Sequence, residues 1–579
     1  MNTPWYRPTR VNHVIDGSDF GWRTGTGKFM DYCSDTFGTV VDVGPGSPTG
    51  VCFGYGGKFP ARYQNAFFIS DWSYGKLYAV HLTPKGSSYV GQVEEFASAQ
   101  PFPLTDLLVN PKDGAMYIAV GGRKVQSGLY RVTYEGREST TPAKPVAGGE
   151  EARKRRQSLE KFVQKGAKSA NQKQLNQIWS SLGAQDRGIR HAARVALEKQ
   201  PVRNWKNKLS VEKNPVIASA AMIALARADS ESSGVVLSKA ITFNYSNEKD
   251  WQQRIDWLRG ITLALTRGGQ PKPERKKKLI DWLDKIYPAS TPEENRDLSA
   301  IMQFLQAPSA ASKGMALLKG ASGQEEQIGY ALNLRHLKTG WTSLLRESYF
   351  KWFIRAGNFK GGARLSNYLD GIKKDAIASF PDQLMTPSLK KIIDTKPQSK
   401  APQFTFEPRT FVKNWTMKEM ALWVPSGVPG ERDFKNGRQM FGAGSCYACH
   451  RIGGEGGAVG PDLTSVGGKF GAYDLLESIV DPGKEISDQY GSSIFSLSDG
   501  SQLNGRIMNM RNNEYWVNTD MMQPSTVTKV KAENLTSIEP SSISMMPPGL
   551  INTMDKEDIL DLMAYLIAGG KPDHQLFAK

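Results

Sequence analysis

The chain has 579 residues, 39% hydrophobic and 10% aromatic, too many for one core and enough for about two to four domains. No stretch approaches the roughly eighteen uninterrupted apolar residues of a membrane-spanning helix, so no transmembrane helix is expected in this chain. The net charge of +17 sits in the middle: residues 151–400 carry 44 Lys+Arg against 23 Asp+Glu, residues 1–150 carry 14 against 13, and residues 401–579 carry 16 against 21. No aromatic-basic reading motif accompanies that excess, so it reads as the solvated face of a lysine-rich helical array, or a docking surface for an acidic partner, and no nucleic acid is expected.

Residues 1–138 hold short runs rich in Val, Ile, Phe and Tyr, such as "NAFFISDW", "GKLYAVHL", "AMYIAVGG" and "GLYRVTY", separated by Gly, Pro, Asp and Asn. These are strand and turn signals, and "ISDWSYGKLYAVHL" suits antiparallel sheet built blade by blade, as in a β-propeller. The segment is too short for a complete propeller. His13 and His81 fall here without a Cys, His or carboxylate cluster and are read as packing or surface residues. Cys33 and Cys52, nineteen residues apart, either close a disulfide or remain two buried thiols.

The Pro, Gly and charge content of residues 139–156 marks a linker running into a helix start. Residues 157–405 show helical apolar periodicity in "RHAARVALEKQ", "VIASAAMIALARA", "QRIDWLRGITLAL" and "KKKLIDWLDKIY". Paired helices of this length predict an all-α, HEAT-like solenoid, with irregular helical packing as the alternative. His191, in the first of these helices, is read as a packed or surface residue. A connector over 406–430 leads to the last domain, 431–579.

That domain contains the most specific passage, "GRQMFGAGSCYACHRIGGEGGAVGPDL". In Cys446-Tyr447-Ala448-Cys449-His450 two thiols three positions apart reach the two vinyl groups of one haem, and the adjacent imidazole faces the iron. A redox dithiol would need no following His. Gly437 and Phe441, four apart on the preceding helix, allow close helix approach and pack beside the macrocycle. The Pro461 carbonyl is placed to accept a hydrogen bond from His450 Nδ1, fixing the ring and raising its basicity. A low-spin electron carrier needs a second axial ligand, and "SSISMMPPGLINTMDKEDILDLMAYL" supplies Met546, directly before Pro547, with Met545 as the alternative. Met554, Met521 and Met522 are read as packing or exposed residues. The interval between His450 and Met546 exceeds what a compact cytochrome needs. Its alternating residues predict an inserted antiparallel sheet at about 488–540, turning at Asp499-Gly500 and Asn512-Asn513.

These parts together resemble the large multidomain CxxCH haem-binding proteins of the PVC bacterial group, described as membrane-bound dehydrogenase-like. In that family a sugar-dehydrogenase-type propeller precedes HEAT-like helices and a class I-like cytochrome c domain. The likeness rests on "TPWYRPTRVNHVIDGSDFGWR", "GPGSPTGVCFGYGGKFPARYQ" and "DGAMYIAVGGRKVQSGLYRV" at one end and "CYACHRIGGEGGAVGPDL", "SIVDPGKEISDQYGSSIF" and "SMMPPGLINTMDKEDILDLMAYL" at the other. It implies one covalent haem c at Cys446 and Cys449, axial ligation by His450 and Met546, and a partial propeller formed by the terminal blades. Arg7, Arg10, His13 and Trp22 would line a pocket near the propeller axis or pack at strand ends. The expected function is electron transfer from a substrate oxidised at the propeller to a redox partner protein or other acceptor. The alternatives are a sugar or alcohol dehydrogenase with a built-in haem acceptor, or a haem-containing binding scaffold. Pyrroloquinoline quinone or calcium would accompany the dehydrogenase reading, although no residue of this chain supports either. Covalent haem attachment implies a periplasmic or otherwise extracytoplasmic location. "MNTPWYRPTR" has no export signal, so either the export route is unusual or Met1 is internal to a longer protein.

Overall fold

A computed structural model describes residues 9–20, 32–44, 46–99, 102–122, 125–359, 365–381, 384–395, 409–424, 427–453, 455–457, 459–468, 470–484, 486, 491–511, 513–520 and 527–577. The chain divides into two compact units that interleave along the sequence: 1–43, 82–91 and 145–399 form one, and 44–81, 92–144 and 400–579 the other.

The first unit is mainly helical. Its starts follow capping chemistry: Asn171 and Gln174 form a capping box at Gln172–Ser181, Asp186 accepts from the Ile189 amide at Arg187–Glu198, and Asn214 precedes Pro215 at the start of Pro215–Ala228. Arg187–Glu198, Pro215–Ala228, Trp251–Gly268, Pro292–Phe304, Gln324–Leu334 and Leu365–Ala378 each touch the next, with the intervening helices packed beside them. One continuous core runs from Leu159 to Leu389.

Residues 32–43 share this helical unit, although the strand-like residues of 1–138 read as a single domain in sequence. The reason is a buried charge. Asp35 accepts from Arg259 Nε and a terminal nitrogen, both at 2.8 Å, and Arg227 lies 3.4 Å away. Arg187 donates to the carbonyls of Cys33 and Thr36. An unpaired carboxylate there would be costly, so the segment is held to the helices.

The second unit holds most of the strands and the carboxyl-terminal region, residues 82–91 at the tip of one hairpin being counted with the first. β1 (Pro48–Phe53), β2 (Phe67–Asp71), β3 (Lys76–Lys85) and β4 (Ser88–Ser98) form a four-stranded sheet in sequence order, and β5 (Leu104–Val109), β6 (Met116–Gly122) and β7 (Val125–Val132) a three-stranded one. Phe68, Leu77 and Ala79 of the first sheet and Leu107, Met116 and Ile118 of the second share one core. Leu77 and Ala79, like Met116 and Ile118, are two apart along their strands and so turn the same side to that core. Gly468, from the carboxyl-terminal region, lies against Ser73 and Tyr74 so closely that a β-carbon there would sit 2.5 Å from the Tyr74 Cα.

The carboxyl-terminal region is built on α1 (Phe434–Ala443), α2 (Cys446–Cys449), α3 (Ala472–Val480) and α4 (Lys556–Ile567). Between α3 and α4 lies an inserted antiparallel sheet of β8 (Ser493–Leu497), β9 (Gln502–Arg511), β10 (Glu514–Asn518), β11 (Thr528–Lys531) and β12 (Leu535–Pro540), in the order β11-β10-β9-β8-β12. Phe495, Val517 and Val530 form its own small core. Gly500, at a φ of 84°, makes the β8–β9 turn, and Asn513, at 61°, the β9–β10 turn; Asn512 lies outside the described residues.

Candidate haem-binding site

α1 begins at Asp433, whose carboxylate accepts from the amides of Lys435 and Asn436. Its Gly437 meets α4 where no side chain fits: a β-carbon would lie 2.4 Å from the Asp561 carbonyl oxygen and 2.9 Å from Tyr565 Cβ. Phe441, one turn on, is fully buried against the Tyr565 ring at 5.7 Å.

A polar group that sequence reasoning missed holds this crossing. Asn436 Nδ2 donates to Asp558 and Asp561 at 3.1 and 2.9 Å, the Asp433 amide donates to Asp561 at 3.0 Å, Arg432 pairs with Glu557 at 2.9 Å, and Arg409 pairs with Asp558. The 409–424 segment, expected as a connector, packs onto the domain: Trp415 Nε1 donates to the Met554 carbonyl, and Met420 and Val424 join the core. The visible signal was Asp558 and Asp561, three apart on the inward face of an amphipathic helix.

After α1 the chain turns through Ser445, at a φ of 54°, into the single helical turn Cys446–Cys449. Both thiols are half-buried and free. Burial pushes Cys446 up to about 12 and raises Cys449 as well, so both are neutral S–H groups. The His450 amide donates to the Cys446 carbonyl at 2.9 Å, which closes the motif.

His450 is half-buried, with Nδ1 2.9 Å from the Pro461 carbonyl oxygen. Burial lowers its pKa and the Pro461 bond opposes that shift. The resulting neutral ring donates from Nδ1–H and keeps its lone pair on Nε2; among the described residues Nε2 has no hydrogen-bond partner. The Gly460 position allows this, because a β-carbon there would lie 2.8 Å from His450 Cε1.

Met546 is half-buried and packs against the same core as Cys446 and Tyr447, with its amide on Ser544 Oγ at 3.1 Å. Met545 is half-buried outside that core, and Met554 is fully buried within it. Met521 and Met522 lie outside the described residues. Two thiols on one helical turn, an imidazole whose Nδ1 is engaged by a carbonyl and a thioether on the shared core form a donor set that fits a covalently bound haem. Residues 434–568 match the cytochrome c family model. No curated protein matches the chain. The region is thus a cytochrome c domain, a class that carries out haem-based electron transfer and is typically extracytoplasmic.

The remaining candidates have structural partners. Arg10 donates to the Phe20 carbonyl, His13 Nδ1 lies 2.9 Å from Ser88 Oγ, and His81 pairs with Glu94 at 2.6 Å. His191 is buried edge-on to Phe37. Arg7 and Trp22 lie outside the described residues. Cys33 and Cys52 are free thiols, Cys33 buried and Cys52 half-buried, so no disulfide joins them. Among the described residues no helix is long and apolar enough to cross a membrane, and no group of three or more His, Cys, Asp or Glu could hold a metal ion.

Proposed function

We propose that this chain is an electron carrier with one haem c joined to Cys446 and Cys449 and ligated by His450 and Met546. The observation that carries the reading is His450, engaged at Nδ1 by Pro461 and with no Nε2 partner among the described residues, directly after two free thiols on one helical turn. Bound haem supplies a one-electron ferric–ferrous couple. Cys446 and Cys449 would hold the haem, each neutral thiol supplying its S–H to one vinyl group to give a thioether with no leaving group. Pro461 orients His450 and strengthens it as a donor. Met546 would supply the second ligand to the iron, which would let electrons pass while denying substrate an open site.

The associated donor in this reading is a substrate oxidised at a propeller to which the two sheets of 48–132 belong; their meander order supports it. The two-row helical array suits a HEAT-like spacer. The protein works in the periplasm or an equivalent compartment and passes electrons to a redox partner. Expression of the full chain with a c-type haem attachment system tests this. A haem-stained band should survive denaturing electrophoresis and vanish in Cys446→Ala/Cys449→Ala; a stained band in the double variant overturns the assignment.

A further inference from the structure

The inserted sheet reaches the loops carrying both ligands of the proposed haem. Asn504 and Arg506 are two apart on β9 and therefore share a face. Arg506 donates to the Val459 carbonyl at 3.2 Å. Val459 is buried, and the next two residues are Gly460, seated against the His450 ring, and Pro461, which accepts from Nδ1.

On the other side β12 runs directly into the methionine loop. Its ladder with β8 continues one step, with the Ser541 amide on the Ser492 carbonyl at 2.9 Å. Buried Ser492 reaches the Ile543 carbonyl at 3.4 Å, and the Ile543 amide returns to Ser541 Oγ at 3.2 Å. Asn504 Nδ2 lies 3.5 Å from that same Ser541 oxygen. Met546 follows five residues later.

Resting on the axial assignment above, we propose that the inserted sheet is a bracket across both ligand loops, and that Arg506 is its positioning residue on the histidine side. A well-seated Pro461 carbonyl draws on Nδ1–H, makes Nε2 a stronger donor and favours ferric iron. Loosening the loop weakens that bond and favours ferrous iron. Removing a nearby positive charge would do the reverse, so the sign of the change separates the two roles.

The test is Arg506→Met and Arg506→Lys in the haem-loaded full chain, read by midpoint potential and, in a Met546→Ala background, by the iron–histidine stretch of the ferrous state. Arg506→Met should raise the potential by up to a tenfold change in the ferric–ferrous ratio, about 59 mV for one electron, and lower the stretching frequency. Arg506→Lys, which keeps charge and donor, should restore both. A lowered or unchanged potential in Arg506→Met overturns the proposal. Should Met546→Ala leave ferrous haem six-coordinate, the Met546 assignment fails, and the potentials of the two Arg506 variants still decide the bracket.

Discussion

Gly437 lies so close to Asp561 that a β-carbon on the first would stand 2.4 Å from the carbonyl oxygen of the second. The helix leading into the haem motif and the helix following the methionine loop therefore cross backbone to backbone. Gly437→Ala must push them apart. The expected cost is about 1–3 kcal/mol, read as a lower urea midpoint for the haem-loaded chain, with unfolding followed by the haem absorption.

Met546→Ala should abolish the weak red absorption of ferric methionine-ligated haem, whereas Met545→Ala should leave it. The distinction follows from packing, since Met546 joins the core that holds Cys446 and Met545 does not. The reverse pattern in the ferric spectra would move the ligand to Met545.

Asp35 is buried beside Arg259, Arg227 and Arg194. Burial alone would raise its pKa, but the Arg259 hydrogen bonds and charge hold it below the usual carboxylate range. Its contribution is therefore present above the unfolded value near 4 and fades as pH falls through the folded one. Asp35→Ala leaves these arginines without their carboxylate and should cost about 3–5 kcal/mol at neutral pH, measured as the loss in unfolding free energy of the helical unit by tryptophan fluorescence.

Asp256 behaves oppositely. Burial pushes its carboxyl up to about 6 against the hydrogen bond from Gln252 and the charges of Arg190 and Arg187. The folded state holds this proton more tightly than the unfolded chain, so the contribution is intact below about pH 4 and is lost as pH rises towards 6. Asp256→Asn keeps an acceptor for Gln252, 2.9 Å away, and cannot ionise. It should match the parent at pH 4 and exceed it by roughly 2–3 kcal/mol at pH 7.5, as compared by urea unfolding at both values.

The cytochrome c domain was legible because the chemistry of its candidate haem motif is local: two thiols and an imidazole within five residues. The inserted sheet was legible from alternation and from the Asp499-Gly500 turn, and helices such as Trp251–Gly268 from their apolar period. What sequence did not reveal depends on pairs far apart in the chain. Asn436 finds Asp561 across 125 positions, Arg506 finds Val459 across 47, and Asp35 finds Arg259 across 224. Each of these polar residues looks like ordinary surface until the fold brings its partner.

The most direct test of the central claim is mass spectrometry of the tryptic peptide Gln439–Arg451 from full chain matured with a c-type haem attachment system. One haem added through both Cys446 and Cys449 is the predicted result. The same peptide recovered with two free thiols, or with those thiols joined to each other, would contradict it.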